Sequence, residues 1–66
     1  MFQYFTLNMK TKNGKELYMM AEGKKFNWTF EKKEAIWFSK SQDVEEFAND
    51  YFKEFKGWYV GKVQWG

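Results

Sequence analysis

Apolar positions along the chain follow two different periods. From Phe2 to Met9 aromatic and aliphatic residues crowd together, which predicts a strand. Asn13-Gly14 then interrupts a polar stretch, Lys10 to Lys15, and reads as a type I′ hairpin turn. Glu16 to Ala21 is the second strand, and Gly23 with Lys24 and Lys25 marks the next turn. Phe26, Trp28 and Phe30 alternate with Asn27 and Thr29, so the third strand places them on one face. Glu31 to Glu34 is a charged connection. Ala35-Ile36-Trp37-Phe38 is a short apolar run that predicts a fourth, optional strand.

Beyond residue 40 the period changes. Val44, Phe47, Ala48, Tyr51, Phe52 and Phe55 recur at i, i+3, i+4, i+7, i+8 and i+11, one stripe of an amphipathic helix. Ser39, with Gln42 as a capping box, or Ser41 alone is expected to cap its start. Asp43, Glu45 and Glu46 suit the positive end of the helix dipole, Lys53 and Lys56 the negative end. Gly57 is expected to stop the helix. Trp58 to Trp65 closes the chain as a strand, with Gly61 marking a bulge or a close backbone approach. The order β-β-β-(β)-α-β predicts a single α+β domain over residues 1–66. Four or five antiparallel strands form its sheet, and one helix packs on one face. Phe47, Tyr51, Phe52 and Phe55 are then expected in the core.

Composition narrows the function more than the fold. In 66 residues there are 8 Phe, 4 Tyr and 4 Trp, but no Cys and no His. Disulfides and thiolate metal sites are excluded, and the commonest metal ligand and general base is missing. The hydroxyls of Thr6, Thr11, Thr29, Ser39 and Ser41 have no histidine to activate them. The carboxylates Asp43, Glu45, Glu46 and Asp50 fall on the polar face of the helix. No Gly-rich loop cradles phosphate. The expectation is a non-enzymatic protein without cofactor or metal. No apolar run is long enough for a membrane helix, and the N-terminus lacks the pattern of a signal peptide. The expected location is the cytoplasm.

The net charge is +2, and all 11 basic residues are Lys. The lysines gather in the expected turns, while the second half of the chain is acidic. The residues in excess have AT-rich codons, so an AT-rich genome explains the missing Arg as well as function does. A sheet covered by one helix leaves its second face open, and sixteen aromatic side chains exceed what one small core holds. Tyr4, Tyr18, Trp37, Tyr59 and Trp65 are the candidates for an exposed contact set, with Lys24 and Lys25 as a basic rim. Aromatic residues are enriched at protein interfaces. They also serve as stacking platforms for single-stranded nucleic acid, the alternative partner. A domain this small also gains from self-association, so a homodimer or larger assembly is a third expectation.

Two segments carry a resemblance: Trp28-Thr29-Phe30-Glu31 through Ala35-Ile36-Trp37-Phe38, and Ser41-Gln42-Asp43-Val44-Glu45-Glu46-Phe47-Ala48. Together with Tyr51-Phe52 and the ending Trp58-Tyr59-Val60, this pattern resembles small accessory proteins of bacteriophages and mobile elements of AT-rich Gram-positive bacteria. The resemblance covers about the last two-thirds of the chain and carries no active residues. It implies a protein that binds and inhibits or modulates a host protein, including components of anti-phage defence such as CRISPR–Cas.

Overall fold

The structure is a computed structural model that describes residues 2–65, without the side chains of Phe2 and Trp65. Four strands and one helix follow one another: β1 (Phe2–Lys10), β2 (Glu16–Glu22), β3 (Lys25–Thr29), α1 (Ser41–Tyr51) and β4 (Trp58–Trp65). A single 3-10 turn, Lys32–Glu34, lies between β3 and α1. The sheet is antiparallel throughout, in the order β3-β2-β1-β4. This is the expected α+β class, with the helix on one face.

The two hairpins form where glycine relaxes the backbone. Gly14 (φ +81°) and Gly23 (φ +65°) have positive φ, and no other described residue does. Asn13 therefore stays in the ordinary region, and the expected type I′ turn does not form. Instead the Gly14 amide donates to the Thr11 carbonyl, and the Thr11 amide donates to the Lys15 carbonyl. Gly14 supplies the left-handed residue after a turn of ordinary hand, a longer hairpin loop. Gly23 occupies the first central position of the two-residue β2–β3 connection, as a type II′ turn requires.

β1 and β2 part company early. They pair only at Asn8↔Tyr18, Met9↔Leu17 and Lys10↔Glu16. Beyond Asn8 the gap between them is filled by residues 36–38. The Ile36 amide donates to the Met19 carbonyl of β2, and Phe38 exchanges two 2.8 Å hydrogen bonds with Phe5 of β1. The strand expected over Ala35–Phe38 is thus reduced to a single bridge, Phe5↔Phe38. The wedge between the diverging strands has room for no more.

The helix begins where expected but is capped differently and ends early. Lys40, in extended geometry, is its N-cap and offers no side-chain hydrogen bond, so neither Ser39 nor Ser41 caps it. Gln42 bonds Glu46 one turn on instead of reaching back. The chain leaves the helix at Phe52 (φ −116°, ψ 62°), whose amide still closes the last turn on Ala48. Lys53, Phe55 and Lys56 lie outside it, and no basic residue sits in its last turn. Phe52 leaves the helix to stack on Trp28, at 5.8 Å between ring centroids.

The core is aliphatic at its centre and aromatic around it. Leu7, Met19, Val44 and Ala48 are fully enclosed. Phe5, Phe26, Trp28, Phe38, Phe47 and Phe52 surround them, partly buried. Tyr51 and Phe55, expected inside, are 54% and 37% exposed. Tyr51 is the last residue of α1 and Phe55 lies beyond its end, so both project past the edge of the core.

Candidate functional site

The second face of the sheet, away from α1, is built from the alternate residues of each strand. Tyr4, Thr6 and Asn8 of β1 face the same way as Tyr59, Gly61 and Val63, their partners on β4. Glu16 and Tyr18 of β2 share this face, since Asn8 lies opposite Tyr18. Although no helix covers them, Tyr4, Thr6, Asn8 and Tyr18 are buried. Part of the cover comes from the connection after β3. Trp37, between the core residues Ile36 and Phe38, turns outward and stacks on Tyr4 at 4.0 Å and 23°.

A hydrogen-bonded stripe crosses this face. The Thr6 hydroxyl donates to the Asn8 amide oxygen at 2.7 Å, and the Asn8 amide nitrogen donates to Glu16 at 3.3 Å. The Tyr59 hydroxyl donates to the same carboxylate at 2.8 Å, and Tyr18 to its other oxygen at 3.4 Å. Gly61 makes this possible. A Cβ there would overlap the Asn8 side-chain amide and the Thr6 hydroxyl oxygen. The expected close approach at Gly61 is therefore an approach of side chains. The alternative, a bulge, does not occur, because the β1–β4 register runs unbroken from Phe2↔Trp65 to Met9↔Trp58.

The electrostatics follow from the geometry. The Tyr59 hydrogen bond holds the Glu16 carboxyl below its ordinary range, and burial only partly opposes it. Burial, with the Glu16 bond and charge added, pushes the Tyr59 phenol up to about 12. Burial and the Glu16 charge raise Tyr18 in the same direction. At neutral pH the stripe is one carboxylate fed by neutral donors. The Thr6 hydroxyl donates to an amide rather than to a base, so nothing here activates it as a nucleophile. A small cleft of about 70 Å³ opens beside the stripe, with Lys32 and Lys62 on its rim. Among the described residues no group of three His, Cys, Asp or Glu side chains comes together to hold a metal. No described helix is long and apolar enough to cross a membrane.

The residues expected as an exposed contact set are thus divided. Tyr4 and Tyr18 are buried, 3% and 8% exposed, because Trp37 covers the one and the polar stripe encloses the other. Tyr59 is half-buried, with its hydroxyl committed to Glu16. Trp37 is 47% exposed and borders an open pocket of about 330 Å³ with Gln3, Tyr4, Phe38 and Ser39. Lys24 and Lys25 are exposed in the β2–β3 turn. The Trp65 side chain lies outside the described residues. The exposed rings that sequence reasoning assigned to the core are Tyr51 and Phe55; Phe30, expected on one face with Phe26 and Trp28, is 61% exposed just past β3. The signal for Tyr51 and Phe55 was the length of the aromatic stripe, which runs beyond what a short helix buries.

Compared with protein-family models, curated protein sequences and solved structures, the chain matches none.

Proposed function

We propose that this domain acts by binding another protein rather than by catalysis, as an inhibitor or modulator of a host protein of the kind its resemblance to phage and mobile-element proteins implies. One observation carries the reading. Trp37, Tyr51, Phe55 and Phe30 hold large aromatic surfaces in solvent while the enclosed core is only a few aliphatic residues. Exposed aromatic surface on a small domain suits interaction sites, here with Trp37 on one face of the sheet and Tyr51 and Phe55 on the other. Aromatic rings supply much of the binding energy at interfaces.

The alternative, single-stranded nucleic acid, needs open ring faces and a basic surround. Tyr4 and Tyr18 are buried, and an ionised Glu16 stands at one end of the sheet face where bases would stack. Both features favour a protein partner.

The test is affinity capture from lysates of AT-rich Gram-positive bacteria, run in parallel with the wild type and with Trp37→Ser and Tyr51→Ser. The expected result is one stoichiometric protein whose recovery falls with at least one substitution. Recovery of nothing from any lysate, with tryptophan quenching by oligonucleotides at low salt, would replace this reading with the nucleic-acid one.

A further inference from the structure

β4 is an open edge of the sheet, and the less guarded of the two. β3, at the opposite edge, has five residues and opens on Lys25, next to Lys24. Short length and lysine discourage further strand pairing. β4 has eight residues, no proline and a single charged residue, Lys62. No bulge bends it, because its register with β1 is unbroken.

The hydrogen-bonding groups of that edge follow from β1. Phe5 uses its amide and carbonyl on Phe38, away from β4. Opposed residues of an antiparallel pair alternate between bonded and non-bonded positions. Tyr4↔Val63, Thr6↔Gly61 and Asn8↔Tyr59 are therefore the bonded pairs of β1 with β4. Trp58, Val60, Lys62 and Gln64 point their amides and carbonyls the other way, off the sheet. Among the described residues no backbone group of another element meets them.

We propose that β4 pairs antiparallel with β4 of a second copy, on a two-fold axis through Gly61, so that the two four-stranded sheets become one. This surface is separate from the aromatic rings of the host-protein reading and does not depend on them. Parity and charge select the register. Bonded positions must face bonded positions, so Trp58, Val60, Lys62 and Gln64 oppose only one another. Centring on Lys62 sets two like charges face to face, which destabilises a strand pair. Centring on Val60 sets Gln64 opposite Lys56, beyond the end of the partner strand. Centring on Gly61 pairs Trp58 with Gln64, Val60 with Lys62 and Tyr59 with Val63. Every outward group from Trp58 to Gln64 then has a partner, and Tyr59 with Val63 is a favourable aromatic–β-branched pair.

The rest of the domain leaves room. The axis is normal to the sheet, so both helices lie on one face. α1 lies over β1 and β4, which sets the two helix axes roughly 10–14 Å apart at about 4.8 Å per strand, no closer than packed helices come. Phe47 and Tyr51 reach toward β3, so the flank of α1 turned to the partner is Ser41, Glu45 and Asn49. At about a Debye length, Glu45 and its symmetry mate are largely screened. Lys56 and its mate stand at opposite ends of the seam.

Sedimentation across a concentration series should give twice the 8.1 kDa mass at high concentration and the single mass on dilution. Amide hydrogen exchange supplies the signature. Tyr59, Gly61 and Val63 should be protected at every concentration, and Val60, Lys62 and Gln64 only in the dimer. In a mixed-isotope dimer the α-protons of Tyr59 and Val63 should show a contact between copies. Lys62→Pro removes an outward amide and spares the bonds to β1, so it should weaken the dimer about tenfold or more. Thermal melts check that it folds; if it does not, the exchange pattern of the wild type decides alone. A single mass of 8.1 kDa up to about 1 mM would overturn the proposal. So would a dimer whose Val60, Lys62 and Gln64 amides exchange freely, since its copies would meet elsewhere.

Discussion

The Tyr59 hydroxyl donates a 2.8 Å hydrogen bond to the Glu16 carboxylate, tying β4 to the start of β2 across the central strand between them. Because the bond depresses Glu16 below its ordinary value of 4.5, the folded state favours the ionised form. Stability from this contact is present above pH 4.5 and is lost as pH falls through the lower folded value. Tyr59 runs the other way. Its raised value, about 12 against an ordinary 10, means that its contribution is complete below pH 10 and is lost as pH rises through 12. Tyr59→Phe should therefore be less stable than wild type at neutral pH, with the gap closing in acid. Urea melts of both proteins across the acid range check this. A gap that does not change with pH would mean that Glu16 is not the partner that matters.

Gly61→Ala should destabilise the domain by about 1–3 kcal/mol, since the new methyl group displaces the Asn8 amide and disturbs buried hydrogen bonds. The double substitution Gly61→Ala with Asn8→Ala should cost less than the two singles added, by about 0.5 kcal/mol or more. A double-mutant cycle by chemical denaturation measures this, and strict additivity would show that the two positions do not compete for space.

Lys40→Ser should stabilise the protein by about 0.5–1 kcal/mol. The residue already has the extended geometry of an N-cap but supplies no acceptor to the first turn of α1. A higher melting temperature is the expected outcome, and an unchanged or lower one would count against the assigned cap.

The aliphatic centre should outweigh any single ring. Leu7→Ala empties a fully enclosed site and should cost about 2–5 kcal/mol. Phe52→Ala removes a half-buried ring and should cost less, about 1.5–3 kcal/mol. Trp37→Ala should cost about 0.5–1.5 kcal/mol, the worth of its stack on Tyr4. Equilibrium unfolding of the three variants gives the order, and Phe52 above Leu7 would show that the rings are the true core.

The start of α1 and its buried stripe, Val44 and Ala48, were legible from spacing, as were both hairpins from Asn13-Gly14 and Gly23. The end of the helix was not. Phe52 and Phe55 continue the i+3/i+4 pattern, yet the chain has left the helix at Phe52 and both rings pack on Trp28. Alternation along extended backbone accounts for Ile36 and Trp37 pointing to opposite sides. It did not say what covers each face, so Tyr4 and Tyr18 were expected in solvent. Their cover comes from a connection, which strand periodicity does not describe. The Glu16–Tyr59 bond joins residues 43 apart and left no local signal. Gly61 hinted at it, but only the strand register shows that Thr6 and Asn8 need the space.

The pairing of β1 with β4 also sets the order in which the molecule becomes safe. β1 lies in the middle of the sheet, yet β4, the strand that closes one of its sides, is the last element of the chain. Synthesis proceeds at roughly 5–20 residues per second, so seconds separate the making of β1 from that of its partner β4. In the finished sheet β2 pairs with β1 at three positions, so without β4 the other side of β1 would be a row of unsatisfied amides and carbonyls. Such an edge is a template for pairing with a neighbouring nascent chain. Closing a ladder whose ends are nearly a chain length apart is also the entropically costly step. The arrival of Trp58 to Trp65 thus divides a folded domain from an aggregation-prone hairpin, and expression yield should respond more sharply to changes in β4 than its partly exposed position suggests.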